Sequence, residues 1–287
     1  MRIQPFASAE YATTVNFLEK VLTSYSLAKA PGADRLVSKM HKLLYIILTL
    51  VLMLRTAVAS VPKDCTQAIL GIAEGWDSSH VTLSVVEKNA QGQWVRVLGP
   101  YRGRLGAKGL VWGLGLHQNA RGATLKKEGD GRSPAGVFAL GGLWVTHKTP
   151  VKHHSSIPYV KVGPNDLWVT NTTDARYYNR HVRLDHPAHT AWELKEQMRQ
   201  TDYPHSIKML ICHNTHERKG GVVVGGGAAI FFHIWRNNGN AATAGCTSME
   251  ENHLRNIIAR INPAKKPVYI LLPKAEYTKL RQSWRLP

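Results

Sequence analysis

The sequence predicts a β-rich domain, because one hairpin and three further runs of strand length can be located in it. Residues 81–86 alternate between apolar and polar side chains, and residues 93–98 continue the pattern after a turn at 89–92. Apolar runs with the length of strands follow at 207–212, 228–235 and 268–272. Together these segments indicate a sheet of several strands.

Two capping boxes mark the beginnings of predicted helices. Thr190 with Glu193 predicts a helix that continues to about Gln200. Ser248 with Glu251 predicts a second helix, whose apolar residues recur at helical spacing. Those apolar residues are Leu254, Ile257, Ile258 and Ile261.

The remaining segments are interpreted as a lead-in at 60–80 and as connections within one domain at 81–287. Residues 60–80 favour an irregular or helical lead-in. The glycine-rich segment 101–118 predicts short, bulged strands and matches no phosphate-binding glycine pattern. The polar excursion 165–189 is typical of a lid or a substrate-binding insertion. The tail, 274–287, predicts either a solvated helix or a contact for an acidic polymer.

The N-terminal region predicts an export signal at residues 40–59. A basic start precedes an apolar core that is shorter than the roughly 20 residues of a membrane span, and a small-x-small site follows just before Ser60. We therefore expect an exported, periplasmic protein. Residues 1–39 would then be a mis-assigned extension, with translation starting at Met40. A short buried helix or an uncleaved membrane anchor is the alternative for residues 40–59.

The charge of the chain indicates an anionic partner. The 287 residues carry a formal net charge of +18, and removal of residues 1–59 would leave about +14. Zinc-finger spacing, a basic helix with heptads and aromatic-rich RNA-binding motifs do not occur in the sequence, which argues against nucleic acid. An acidic cell-wall polymer fits this charge.

The sequence contains three cysteines, so an exported form would have one thiol left over. A disulfide between Cys65 and Cys212 with a free Cys246 is one arrangement, and two buried unpaired thiols are the other. Cys212, His213 and His216 form the best metal candidate. Adjacent residues of a strand point to opposite faces, so we expect instead a strand end beside the pocket and no metal.

A histidine and a cysteine thirteen residues apart carry the candidate chemistry. An apolar run delivers His233, and Cys246 follows Gly245 on a bend. A helix beginning at Ser248 would place its positive end near the thiol, and that end and the imidazole both favour a thiolate. The amides of Gly245 and Cys246 could then donate to an oxyanion. A buried thiol and a hydrogen-bonded core histidine are the alternative.

Two blocks of the sequence resemble the catalytic domain of L,D-transpeptidases of the YkuD type. Residues 243–246, Thr-Ala-Gly-Cys, follow a strand histidine and resemble that family's Ser/Thr-x-Gly-Cys segment. Residues 129–138 resemble its Gly-Asp-x-x-Thr/Ser-Pro-x-Gly segment. The resemblance covers residues 82–273. It departs from the family at Ala244, where many members have histidine, and in lacking an Arg or Asn shortly after the cysteine.

The resemblance implies a mostly β domain, in which a mixed sheet folds into a sandwich or barrel with a few helices. It implies an enzyme in which Cys246 attacks a peptidoglycan tetrapeptide and releases D-alanine, and an amine of a second stem peptide then resolves the thioester. His233 would act as the base. The backbone at Ile234 would orient the imidazole, and Gly245 and Thr247 would serve the oxyanion. Substrate contacts are expected from Pro134, Gly136, His213, Asn214, Trp235, Arg236 and Thr243.

The molecule that accepts the acyl group from the thioester is not specified by the sequence, so several functions stay open. Water would make the protein an L,D-carboxypeptidase, and a lysine of a wall-anchored protein would make it attach or detach protein. A non-enzymatic, basic wall-binding module is a further alternative. The expected partner is peptidoglycan, with the membrane involved only through the signal segment during export. No metal or organic cofactor is expected.

Overall fold

Strands dominate this computed structural model, which describes residues 60–120, 122–199 and 201–287. The predicted signal at 40–59 and the extension at 1–39 lie outside the described residues. The strands are β1 (Gln67–Ala73), β2 (His80–Lys88), β3 (Trp94–Arg104), β4 (Leu110–Trp112), β5 (Ser133–Val145), β6 (Tyr159–Lys161), β7 (Asp166–Val169), β8 (Arg180–Arg183), β9 (Ile207–Ile211), β10 (Phe231–Ile234), β11 (Thr247–Met249) and β12 (Val268–Pro273). The helices are α1 (Ala191–Glu196), α2 (Glu251–Arg260) and α3 (Lys274–Leu280).

Eight of these strands form a closed, barrel-like sheet. Their order around the sheet is β12, β1, β2, β3, β11, β10, β9 and β5, and β5 pairs with β12 again. The β1–β12 and β10–β11 pairs are parallel, and the other pairs around the ring are antiparallel. Closure pairs both edges of each strand in the ring. The predicted mostly β fold with a mixed sheet and few helices is confirmed.

Side-chain alternation separates the inner face of this sheet from its outer face. On β10, Phe232 and Ile234 join the large inner core, to which α2 adds Leu254, Ile257 and Ile258. Phe231, the residue before Phe232, belongs to a separate cluster on the outer face. Full burial of each such side chain stabilises the fold by about 1.5–3 kcal/mol. The outer cluster, which includes Trp144, Trp168, Met198 and Leu210, supports the surface that holds the candidate site.

Most predicted strands are confirmed. The hairpin is formed by β2 and β3, and the three later apolar runs contain β9, β10 and β12. The irregular or helical lead-in at 60–80 is wrong, because it contains β1. This strand pairs with both β2 and β12, and its two faces pack on different clusters. Burial on both faces removes the alternation that marks a half-buried strand.

The two predicted helices form, but their ends differ from the prediction. The capping box of Thr190 and Glu193 is present at α1, which ends at Glu196 because Gln197 makes a bridge with Leu167. The predicted capping box at Ser248 does not form. Residues 247–249 pair with β10 as β11, so α2 begins only at Glu251.

The excursion at 165–189 is more regular than predicted. It contains the two-stranded sheet of β7 and β8. In the tail, α3 has the expected solvated character, but Trp284 and Leu286 beyond it are buried against the outer face of the barrel. Across the described residues, each helix is too short or too polar to cross a membrane.

Candidate active site

Cys246 and His233 lie on the same outer face of two neighbouring parallel strands. The register pairs Phe232 with Thr247 and His233 with Ser248. Phe232 points into the inner core, so His233, the next residue along β10, points outward. Continuing the register places Cys246 opposite Phe231, two residues before His233. Strand spacing and rise put the Cα atoms of Cys246 and His233 about 8 Å apart on this face.

The imidazole of His233 is held in one orientation by the backbone. Its Nδ1 lies 2.7 Å from the carbonyl oxygen of Ile234, which can only accept, so Nδ1 donates. In the neutral ring Nε2 is therefore the basic nitrogen. Burial lowers the pKa of His233 to about 3, which keeps the ring neutral at pH 7. The predicted contact between the Ile234 backbone and the imidazole is present.

The thiol of Cys246 rests against the backbone of the segment that enters β10. Sγ lies 3.4 Å from both the carbonyl oxygen of Ala229 and the amide nitrogen of Phe231. Within the described chain, His233 is not among the hydrogen-bond partners of this thiol. Burial raises the pKa of Cys246, while the Phe231 amide and two nearby lysines act in the opposite direction. The prediction that a helix N-terminus next to Cys246 favours the thiolate is wrong, because the strand β11 follows the cysteine directly.

The bend before Cys246 joins the two sequence blocks. The carbonyl oxygen of Cys246 accepts from Thr243 Oγ1 at 2.7 Å and from Ser133 Oγ at 3.3 Å. The amide of Gly245 donates to Thr243 Oγ1 at 3.1 Å. This amide is therefore engaged, contrary to its expected oxyanion role. Among the described residues no acceptor pairs with the Cys246 amide, which leaves it as the better oxyanion donor.

Three further expected site residues serve the fold in this structure. The Thr247 hydroxyl points inward and meets the Tyr269 hydroxyl at 3.1 Å, so this side chain does not face the thiol. The two ring nitrogens of His213 contact the Leu114 amide and the Gly226 carbonyl. Asn214 is fully buried, and its side-chain amide binds backbone groups of Val223 and Gly227. His213 and Asn214 thus build a loop and have no free group for substrate.

Pro134 and Gly136 shape β5 rather than offer polar contacts. Pro134 is buried and pairs with Val111 of β4. Gly136 has a φ of +139°, and a Cβ there would lie 1.9 Å from the His117 ring. Glycine is therefore required at position 136, because the backbone and the neighbouring ring exclude a side chain.

Two buried lysines flank the thiol. Lys126 Nζ donates to Asp130 Oδ1 at 2.6 Å and to the Arg132 carbonyl at 2.7 Å, and a Cβ on Gly245 would lie 3.3 Å from it. Lys208 lies opposite His233 in the β9–β10 register and donates to the Met198 carbonyl at 2.8 Å. Burial lowers the pKa of Lys208 to about 8, so the ammonium form predominates at pH 7. Both charges favour a thiolate at Cys246.

A second imidazole lies beside the first. The rings of His205 and His233 are 4.7 Å apart between centroids. His205 Nδ1 lies 2.8 Å from Asp202, which also forms an ion pair with Arg236. The guanidinium of Arg236 is therefore committed to this carboxylate in the structure. Trp235, the other expected substrate contact, is half-buried against the inner core and beside Gly239.

No family model matches this chain, and neither does any curated protein or solved structure. The function is therefore argued from the sequence blocks and from the geometry of the site. All three cysteines are free, including Cys65 and Cys212. Cys212, His213 and His216, the metal candidate that the sequence analysis set aside, do not assemble into a cluster, since His216 binds the Tyr178 carbonyl.

Sequence reasoning missed Lys208, His205 and Asp202. A signal existed for Lys208, because a lysine interrupts the otherwise apolar strand at 207–211. Its neighbours could not be inferred, since they come from β10 and from the segment before β9.

Proposed function

We propose that this protein is an exported cysteine acyltransferase that acts on peptidoglycan stem peptides as an L,D-transpeptidase. One observation carries the proposal: Cys246 shares an outer sheet face with His233, whose Nδ1 is tethered to the Ile234 carbonyl. The contact between Ser133 and Cys246 adds support, because it joins the two blocks that resemble this family.

The reaction begins from a neutral pair. The raised pKa of Cys246 and the lowered pKa of His233 leave a thiol and a neutral imidazole at pH 7. Rotation about χ1 of Cys246 brings Sγ from the Ala229 carbonyl towards His233. Nε2 takes the thiol proton as sulfur attacks the carbonyl carbon of the donor amide. The Cys246 amide donates to the developing oxyanion.

The second half of the reaction uses the same groups in reverse. The protonated His233 gives its proton to the leaving nitrogen of D-alanine, and the thioester on Cys246 remains. An amine of a second stem peptide loses a proton to Nε2 and attacks the thioester carbonyl, which forms the new amide and restores the thiol. Lys208 and Lys126 favour the thiolate formed on the way.

The test is mass spectrometry of products formed from a diaminopimelate-containing disaccharide tetrapeptide. The purified full-length chain is compared with Cys246→Ala and with Cys212→Ala, which removes another cysteine from the same outer cluster. We expect cross-linked dimers that have lost one D-alanine, present with Cys212→Ala and absent with Cys246→Ala. Tripeptide monomers alone would favour an L,D-carboxypeptidase. Cys246-independent products would contradict the proposal.

A thiol probe separates the enzymatic proposal from a wall-binding module. Iodoacetamide should label Cys246 in the full-length chain, as read by peptide mass mapping. The absence of both product and label at Cys246 would favour a non-enzymatic module.

A further inference from the structure

We propose that His186, His189 and Glu193 form a site for a divalent transition-metal ion. Each residue contributes one potential ligand atom, and these atoms lie within 4.8 Å of one another. In the described part of the chain this is the one group of three or more His, Cys, Asp or Glu residues that meets this condition. The site lies at the start of α1, outside the candidate active site.

The spacing of the ligand atoms suits tetrahedral coordination. His186 Nε2 lies 3.2 Å from Glu193 Oε1, and His189 Nδ1 lies 3.4 Å from Glu193 Oε2. An ion with tetrahedral bonds of about 2.0–2.1 Å keeps neighbouring ligand atoms roughly 3.3 Å apart. All three ligand atoms lie within 4.8 Å of one another, so shifts of about 1 Å bring them to the separation that Zn²⁺ requires.

A carboxylate behind His186 selects the ligating nitrogen. His186 Nδ1 lies 2.6 Å from Asp185 Oδ1, so Nδ1 donates and Nε2 is left to bind an ion. Metal-bound histidines commonly donate their other ring nitrogen to such a carboxylate, which fixes the tautomer and the orientation of the ring. Asp185 thus has the position of a positioning residue for the ion.

The capping box holds Glu193 in place. Glu193 Oε2 accepts from the amides of His189 and Thr190 at 3.0 and 2.9 Å. Oε1 faces His186 and is the oxygen available to an ion. His189 Nδ1 also lies 3.2 Å from the Pro187 carbonyl, and this contact ends on binding because a metal-bound nitrogen carries no proton. Only small movements of the two imidazoles are needed.

The donor set selects the class of ion. Two imidazoles and one carboxylate suit Zn²⁺, Co²⁺, Ni²⁺ or Cu²⁺, whereas Mg²⁺ and Ca²⁺ prefer oxygen ligands alone. The ion would also tie the excursion to α1. Met198, just beyond α1, packs in the same outer cluster as Cys246, and its carbonyl accepts from Lys208. An occupied site would therefore stabilise the segment that borders the thiol.

Calorimetric titration of Zn²⁺ into the purified full-length chain tests the site. We expect His186→Ala with His189→Ala to remove one binding equivalent. The matched control is His153→Ala with His154→Ala, which removes two histidines from another loop and should keep that equivalent. Excess Mg²⁺ should not compete. Equal Zn²⁺ stoichiometry and affinity in the His186/His189 variant and the unmodified chain would overturn the proposal.

Asp185→Asn provides a second, independent readout. The Asp185 side chain is 97% exposed, so this change should leave the fold intact. Loss of the positioning carboxylate should weaken Zn²⁺ binding by about 10–100-fold. An affinity within about twofold of the unmodified chain would contradict the role given to Asp185, since that carboxylate then would not orient a ligand.

Discussion

Replacing Lys208 with methionine should slow the alkylation of Cys246 at pH 7 about fivefold. Lys208 and Cys246 lie on opposite sides of β10 and are offset by two residues along it, so two strand spacings and two residue rises put their Cα atoms roughly 12 Å apart. At an effective dielectric constant of about 20, a unit charge at that distance stabilises a thiolate by about 1.4 kcal/mol. Screening by salt reduces this value, so a change of about 1 kcal/mol, or about fivefold in the thiolate population, is expected.

The pH dependence gives this prediction a distinctive signature. Lys208 loses its charge near pH 8, because burial lowers its pKa to about 8. The difference between the native chain and Lys208→Met should therefore be largest below pH 8 and should shrink above it. The measurement is the rate of iodoacetamide alkylation at Cys246 between pH 6.5 and 9.5, read by peptide mass mapping so that the other cysteines are resolved.

Two controls isolate the charge of Lys208. Lys208→Arg keeps a cation and should alkylate at close to the native rate. Lys161→Met removes an exposed lysine from β6 and should have no effect. Equal rates for Lys208→Met and the native chain at pH 7, with the fold intact by circular dichroism, would refute the electrostatic reasoning.

The other predictions concern a second lysine, a glycine and two histidines. Lys126→Met should slow alkylation of Cys246 less, by about threefold or below, because Asp130 at 2.6 Å offsets the Lys126 charge; a larger loss than for Lys208→Met would contradict this. Gly136→Ala should lower the free energy of unfolding by at least about 2 kcal/mol in urea titration, since φ is positive and a Cβ would meet a ring; Gly75→Ala, with open space around it, is the matched control. The free energy of unfolding should fall as the pH drops below about 6.5. Burial lowers the pKa of His213 and of His233 to about 3, so between pH 6.5 and 3 only the unfolded chain takes up these protons. A urea midpoint that stays constant from pH 7 to 5 would contradict this reasoning.

The strands could be predicted from sequence where burial is one-sided or the apolar run is long. The hairpin of β2 and β3 is predicted by alternating apolar and polar residues and by a turn between them. β1 lacks this alternation, because both of its faces are covered. The predicted capping box at Ser248 also failed because of tertiary pairing. Its local pattern favours a helix start, but pairing with β10 takes residues 247–249 into the sheet.

The candidate site was predictable in part. Sequence patterns selected Cys246 and His233 and the backbone contact at Ile234, because chemistry and short-range spacing mark these residues. They did not show that the Gly245 amide is engaged, since that depends on Thr243. They also predicted substrate contacts for His213 and Asn214 that the structure does not favour, because these side chains hydrogen-bond to the backbone of a neighbouring loop.

The sequence by itself determined the β-rich class and most of the strands, and it selected the two candidate catalytic side chains, because periodicity and residue chemistry are local properties. Only the tertiary structure decided the protonation of the site. Burial keeps the pKa of Cys246 high and the pKa of His233 low. Lys208 lies on the same face, on β9 next to β10. Electrostatics of this kind depends on which strands become neighbours, and the register of a closed sheet fixes that.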